Sequence, residues 1–259
     1  MTNYERNNTM VACILAFIIV GAVAVGAMFL LGTANLTWNP NINTTGDWDE
    51  GELFEFELTD TSMPATVTLN VDIDVGGLQV LFVDDADLVY EISIWVPNAT
   101  LEEHGDPTVG YASDTITIDY PVAGVNVTLG SGTTYVMGLA TTTGGVEVIL
   151  SSPANVGDID IHVTTGGIHF VMTSAVNITG DVDFSFRTTT GGIDVDASIP
   201  INVGGSFAGT VTTGSVDVTP VGWTLISQNH YETSNYATAS NSITIVASTT
   251  TGGIEATLT

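Results

Sequence analysis

The chain has 259 residues, of which 29 are acidic and two are arginine, with no lysine, for a formal net charge of −27. Such a surface lacks the basic footprint of a nucleic-acid binder and excludes that class. High acidity often marks disorder, but 44% apolar content arranged with a period of two predicts a folded core beneath an acidic surface.

Residues 1–9 read as a short cytoplasmic tail. The next 23 residues, Met10 to Gly32, are uncharged and apolar, against the about 20 needed to cross a bilayer. A cleavable signal peptide has a shorter apolar region, roughly 7–15 residues, so 10–32 is expected to be one uncleaved transmembrane helix contacting the lipid bilayer. Gly32-Thr33-Ala34 nonetheless offers a small-x-small cleavage site. Arg6 precedes the run, and Asp47, Asp49, Glu50 and Glu52 follow it. The positive-inside tendency then places the N-terminus in the cytoplasm and the rest outside, as a single-pass cell-membrane protein. The single Cys13 falls inside this run, so the outer part is expected to contain no disulfide.

Residues 33–46 read as a stalk and 47–259 as the ectodomain, with opening strands over 47–140 and repeats over 141–259. Strands are expected at 47–60, 65–75, 78–83, 87–96, 115–120 and 123–129. Leu101 to Pro107 is the longest loop signal, and no helical pattern is seen beyond the membrane. Five Asn-x-Ser/Thr sequons, at Asn35, Asn43, Asn98, Asn126 and Asn177, lie on the outer side and mark candidate glycosylation sites.

From Thr141 onward one phrase returns. It reads Thr142-Thr143-Gly144-Gly145-Val146, then recurs with first glycines at Gly166, Gly191, Gly214 and Gly252, spaced by 22, 25, 23 and 38 residues. The last interval contains an insertion around Trp223 to Tyr236. A period in this range signals stacked repeats. Each phrase is followed by alternating residues such as Val146-Glu147-Val148 and Ile168-His169-Phe170, so one side is buried and the other wet. The architecture predicted is all-β, a right-handed β-solenoid with rungs of about 23 residues, preceded by one N-terminal transmembrane helix. A meander or sandwich of hairpins fits the same alternation.

These phrases resemble those of the adhesin-like family of bacterial and archaeal surface proteins built on domain of unknown function 4097, with its toast-rack relatives. The resemblance spans roughly Asp72 to Thr259, with Val75-Gly76-Gly77-Leu78 as an opening rung. It implies a right-handed solenoid and carries no catalytic residues. Near-absence of lysine with abundant Asp and Glu also resembles proteins of salt-loving archaea.

Stacked phrases would align Glu147, His169, Asp194, Asp217 and Glu255 in a column, and set Asp158 and Asp160 beside Asp181 and Asp183. Unit charges about 4.8 Å apart repel by roughly 0.9 kcal/mol even in water, so screening by salt or bound Ca2+ is expected, Ca2+ being suited to all-oxygen sites. Asp84, Asp85 and Asp87 form the densest local cluster. His162 and His169 flank one corner and would meet across it, as a metal pair, if that corner were a hairpin. Arg187 and Asp194 occupy the same positions one repeat later, as an ion pair.

No catalytic motif is recognisable, so no enzyme activity and no cofactor beyond Ca2+ is expected. The sequence reads as a membrane-anchored, adhesin-like structural surface protein. The alternative is a subunit of an archaeal filament or surface layer that polymerises through its apolar N-terminal segment. The final edge, Ile254 to Thr259, is expected to be open for pairing with another copy or an envelope partner.

Overall fold

A computed structural model describes residues 50–151 and 153–259. The tail, membrane span and stalk expected before residue 50 lie outside the described residues, as do Asn35 and Asn43. No helix within the described residues is long and apolar enough to cross a membrane.

The described chain is all-β. It runs β1 (Gly51–Thr59), β2 (Thr66–Phe82), β3 (Leu88–Pro97), a short helix α1 (Asn98–His104), β4 (Gly110–Ala112), β5 (Thr115–Val122), β6 (Gly124–Leu129) and β7 (Thr134–Leu150). There follow β8 (Asn155–Met172), β9 (Asn177–Ile178), β10 (Asp181–Thr190), β11 (Ile193–Ala197), β12 (Val203–Pro220), β13 (Trp223–Ser227), β14 (His230–Thr233) and β15 (Asn241–Leu258). All belong to one 15-stranded sheet except the helix. The helix is a departure from expectation. It occupies the first part of the predicted loop, begins after Pro97 without a side-chain cap and buries only Thr100, so no apolar period announced it.

The Thr-Thr-Gly phrases are corners within ladders. Gly76 aligns with Gly144, and Gly144 with Gly166. A Cβ on Gly191 would sit 1.6 Å from the Gly166 carbonyl oxygen, one on Gly252 1.9 Å from that of Gly191, and one on Gly214 1.6 Å from that of Gly252. These first glycines share φ between 138° and 149°, a region that side chains on L-residues rarely enter. Backbone conformation and close stacking therefore both demand glycine here.

Pairing between repeats is parallel throughout, β2 with β7, β7 with β8, β8 with β10 and β11, and these with β15. Antiparallel pairs are confined to β1–β3–β6 and β4–β5 at one end and β12–β14–β13 at the other. Parallel register stacks like on like. Leu78, Val146, Ile168, Ile193 and Ile254 form one buried column; Leu69, Met137, Ile159, Phe184, Ile245 and Phe207 form another. Burying side chains of this kind contributes about 1.5–3 kcal/mol each, and the columns join into one core.

The order of strands in the sheet departs from chain order. β15, the last strand, lies between β10/β11 on one side and β12 on the other. The β13–β14 hairpin, built from the Trp223–Tyr236 insertion, turns the chain back and lets β15 enter. Ile254 to Leu258 are thus paired on both sides, which corrects the expectation of an open final edge. Among the described residues, the open edge at this end is that of β12 beyond its pairing with β14.

Candidate interaction faces

Outward residues stack as faithfully as inward ones. After the corners, the column runs Gln79, Glu147, His169, Asp194, Glu255, Asp217, each in register with the next. The expected acidic column is therefore present, with Glu255 preceding Asp217 in space. Gln79 donates its side-chain N–H to Glu147. His169 Nδ1 lies 3.0 Å from Glu147 Oε1, and its Nε2 3.8 Å from Asp194 Oδ2.

This geometry sets the protonation of the column. The hydrogen bond to Glu147 pushes His169 above its ordinary pKa, against the opposing pull of burial, with Asp194 adding to the rise. The same bond holds Glu147 below the usual carboxylate range, helped by Gln79. Burial raises Asp194, and Glu255 raises it further, while His169 pulls it down. His169 thus stands between two carboxylates, Glu147 on one neighbouring strand and Asp194 on the other.

Before the corners the face is different. Asp119, Asp72, Ala140, His162, Arg187, Ser248 and Thr210 form one register column. Beside it, Gly138 and Ala140 leave a shallow depression bordered by Asn70, Asp72, Thr117 and Asp119. His162 and His169 do not meet as a hairpin pair, because β8 continues past the Gly166 corner as one strand and each histidine finds its neighbours on other strands. His162 adjoins Ala140 and Arg187; His169 adjoins Glu147 and Asp194. The expected Arg187–Asp194 ion pair is corrected for the same reason, since the corner sends the two residues to different columns and Asp194 faces His169 instead.

The other acidic candidates serve backbone and neighbouring strands. Asp85 Oδ1 accepts the N–H of Asp87 at 2.9 Å and of Leu88 at 3.2 Å, which makes it a turn cap; Asp84 stands exposed beside it. Asp158 accepts the Asp183 N–H at 2.9 Å, and Asp181 accepts the Ser242 hydroxyl at 2.7 Å. Asp160 is exposed between Gly138 and Ser185. Among the described residues no group of three or more His, Cys, Asp or Glu is arranged to hold a metal ion. Of the sequons described, Asn98 and Asn177 are exposed and Asn126 is half-buried. Asn177 already donates to Asn155 Oδ1 at 2.7 Å in a ladder of asparagines.

Sequence reasoning missed the far end of the sheet. Ile201, Val221, Leu225 and Ile226 are 91%, 61%, 59% and 53% exposed. The signal was available in the charge pattern, since Asp217 is the sole charged residue from 197 to 229.

No family model matches the chain. No curated protein sequence matches it. Among solved structures, it is similar to a putative cell adhesion protein from Clostridium sporogenes, with TM-score 0.69 and 16% identity, over 81% of this chain and 100% of that one. A putative adhesin from Bacteroides fragilis aligns over 80% of this chain and 97% of its own at 12% identity, with TM-score 0.30. At these identities the first likeness establishes a shared all-β fold.

Proposed function

We propose that the protein is an envelope-displayed, adhesin-like structural module: a right-handed β-solenoid held outside the cell by residues 10–32, binding through its faces and catalysing nothing. The observation that carries this reading is the unbroken register of corners from Gly76 to Gly214, which makes each face a regular array of side chains. Such arrays suit broad surface contact better than chemistry at one enclosed point. The fold shared with the Clostridium sporogenes putative cell adhesion protein supports the same assignment. The lysine-free, acidic composition supports a salt-loving archaeal host, where a high-salt medium screens the columns.

Protease treatment of intact cells tests the assignment. Loss of the 50–259 region while cytoplasmic markers survive is the expected result; full protection until lysis would overturn it. The filament or surface-layer reading rests on the length of the apolar run at 10–32, and electron microscopy of native material distinguishes it, since filaments favour it and dispersed particles in detergent favour the anchored module.

A further inference from the structure

The two ends of the sheet are finished in different ways. At the first end an outer edge is β1, which among the described residues pairs with β3 alone. Glu52, Glu55 and Glu57 lie on it and Glu50 beside it. Carboxylates along an edge are a recognised guard against strand-to-strand association. At the other end, the β14 strand covers β12 only at Ser206, Phe207 and Ala208, with the Gly209 N–H bonded to the Asn229 carbonyl just beyond. From Thr210 to Pro220 the outer edge of β12 carries no partner strand among the described residues.

That uncovered stretch exposes the end of the core. Val211, Val216 and Val218 stand on the inward columns above Thr249, Ile254 and Ala256. All three are only partly buried, whereas Ile254 and Ala256 beneath them are fully so. Stacked-repeat proteins ordinarily close with a polar cap. Here the cap stops halfway, and the exposed Ile201, Val221, Leu225 and Ile226 gather at the same end.

We infer that the Thr210–Asp217 edge of β12 pairs with the same edge of a second copy, closing two cores against each other about a twofold axis through the Thr213–Gly214 corner. Charge selects this occupant. A head-to-tail contact would set the β1 carboxylates against Asp217, and a β1-to-β1 contact would set four against four. The β12-to-β12 contact brings together strips with one carboxylate each.

Symmetry also keeps those two apart. An axis between Thr213 and Gly214 puts Val211 opposite the second copy's Val216, inward side chain on inward side chain. It puts Thr210 opposite Asp217, the last pair before the β14 strand and the Gly209–Asn229 bond close the edge. The corner bends each strand toward its own core, and a twofold through the corner preserves that bend. Such a contact is isologous and closes at two copies, with no open filament.

The test uses the full chain in detergent with Cys13→Ser, at about 0.15 M salt, where charges act over about 8 Å. Sedimentation should show a dimer. Thr210 is exposed, so changing it leaves the core intact. Thr210→Asp should weaken the dimer roughly three- to tenfold by facing Asp217 twice, and Thr210→Lys should tighten it by a similar factor. Thr66→Lys, on a distant rung, makes the same change in net charge and should move the constant much less than Thr210→Lys. Mixed Thr212→Cys and Ser215→Cys chains should form a disulfide on oxidation that neither forms alone. A monomer at all concentrations overturns the inference. So does a dimer indifferent to the sign of charge at position 210, which would place the contact elsewhere, as at Ala22 and Gly26.

Discussion

Glu147 and His169 face each other on neighbouring parallel strands, Oε1 to Nδ1 at 3.0 Å, in a column that is otherwise acidic beyond Gln79. His169 keeps its proton to higher pH in the folded chain than its ordinary value of 6.5 allows. Its stabilisation is complete below 6.5 and fades as pH rises through the raised folded value. Glu147 has the opposite sign: its contribution is complete above 4.5 and is lost as pH falls through the lowered folded value. Asp194, raised from 3.8 chiefly by burial, costs stability once it ionises, which His169 partly offsets.

The pair should therefore stabilise most between pH 4.5 and 6.5. His169→Gln should lower stability by about 1 kcal/mol in that window, given a half-buried charged hydrogen bond, and by much less in alkali. Thermal melts of both chains across pH check this. A difference that stays constant from acid to alkali would show that packing alone is at stake.

The corner phrase makes a sharper prediction, because its two glycines have different duties. A Cβ at Gly166 would lie 1.5 Å from the Gly144 carbonyl oxygen, and φ there is 145°. A Cβ at Gly192 would meet nothing nearer than 3.7 Å. The fourth corner already carries Ser215 in that second position. Gly166→Ala should cost about 3 kcal/mol or more, whereas Gly192→Ala should fall within about 0.5 kcal/mol of the parent. Denaturant unfolding of the two variants measures the contrast, and equal losses would refute the stacked-corner account.

These two cases also show what the sequence could convey. The buried column Leu78–Val146–Ile168–Ile193–Ile254 was legible because a period of two and a recurring corner fix both which side chains face inward and which align. The Glu147–His169 contact followed from the same equivalence. The place of β15 was not legible. Its Thr250-Thr251-Gly252-Gly253-Ile254 phrase presents nearly the same edge as every other corner, so local pattern cannot choose its neighbours. The returning β13–β14 hairpin makes that choice through long-range geometry. Arg187 and Asp194 look like partners in the sequence because they flank one corner, but the chain continues past it and carries them into different columns.

Acidic columns predict a response to salt. Asp194, Glu255 and Asp217 follow one another in register with no cation between them, and neighbours at about 4.8 Å repel by roughly 0.9 kcal/mol in water. Raising monovalent salt from about 0.1 M to 1 M shortens the screening length from about 10 Å to 3 Å and should raise the melting temperature. Millimolar Ca2+ should add little beyond its ionic strength, since among the described residues the carboxylates lie in rows and not in a cage. Melts with Ca2+ and with a chelator decide between the two, and a chelator-sensitive melt would establish a specific site.

The interior offers a last prediction. Thr141 stands fully inside the sheet, 2% exposed, and its hydroxyl has no hydrogen-bond partner. Its register neighbours are Ile73 and Val163, both apolar and buried. Thr188 and Thr249, on the same inward column, differ in that each hydroxyl donates to the Gly191 carbonyl, at 3.3 and 3.2 Å. An unsatisfied buried hydroxyl costs about 1–3 kcal/mol, which an apolar group of the same shape avoids. Thr141→Val should therefore raise stability by about 1 kcal/mol, or roughly 2–4 °C in a chain of this size. Thr188→Val and Thr249→Val should give no such gain, because each discards a bond already made. A melting series of the three variants tests the column residue by residue; destabilisation by Thr141→Val would mean that its hydroxyl is satisfied after all.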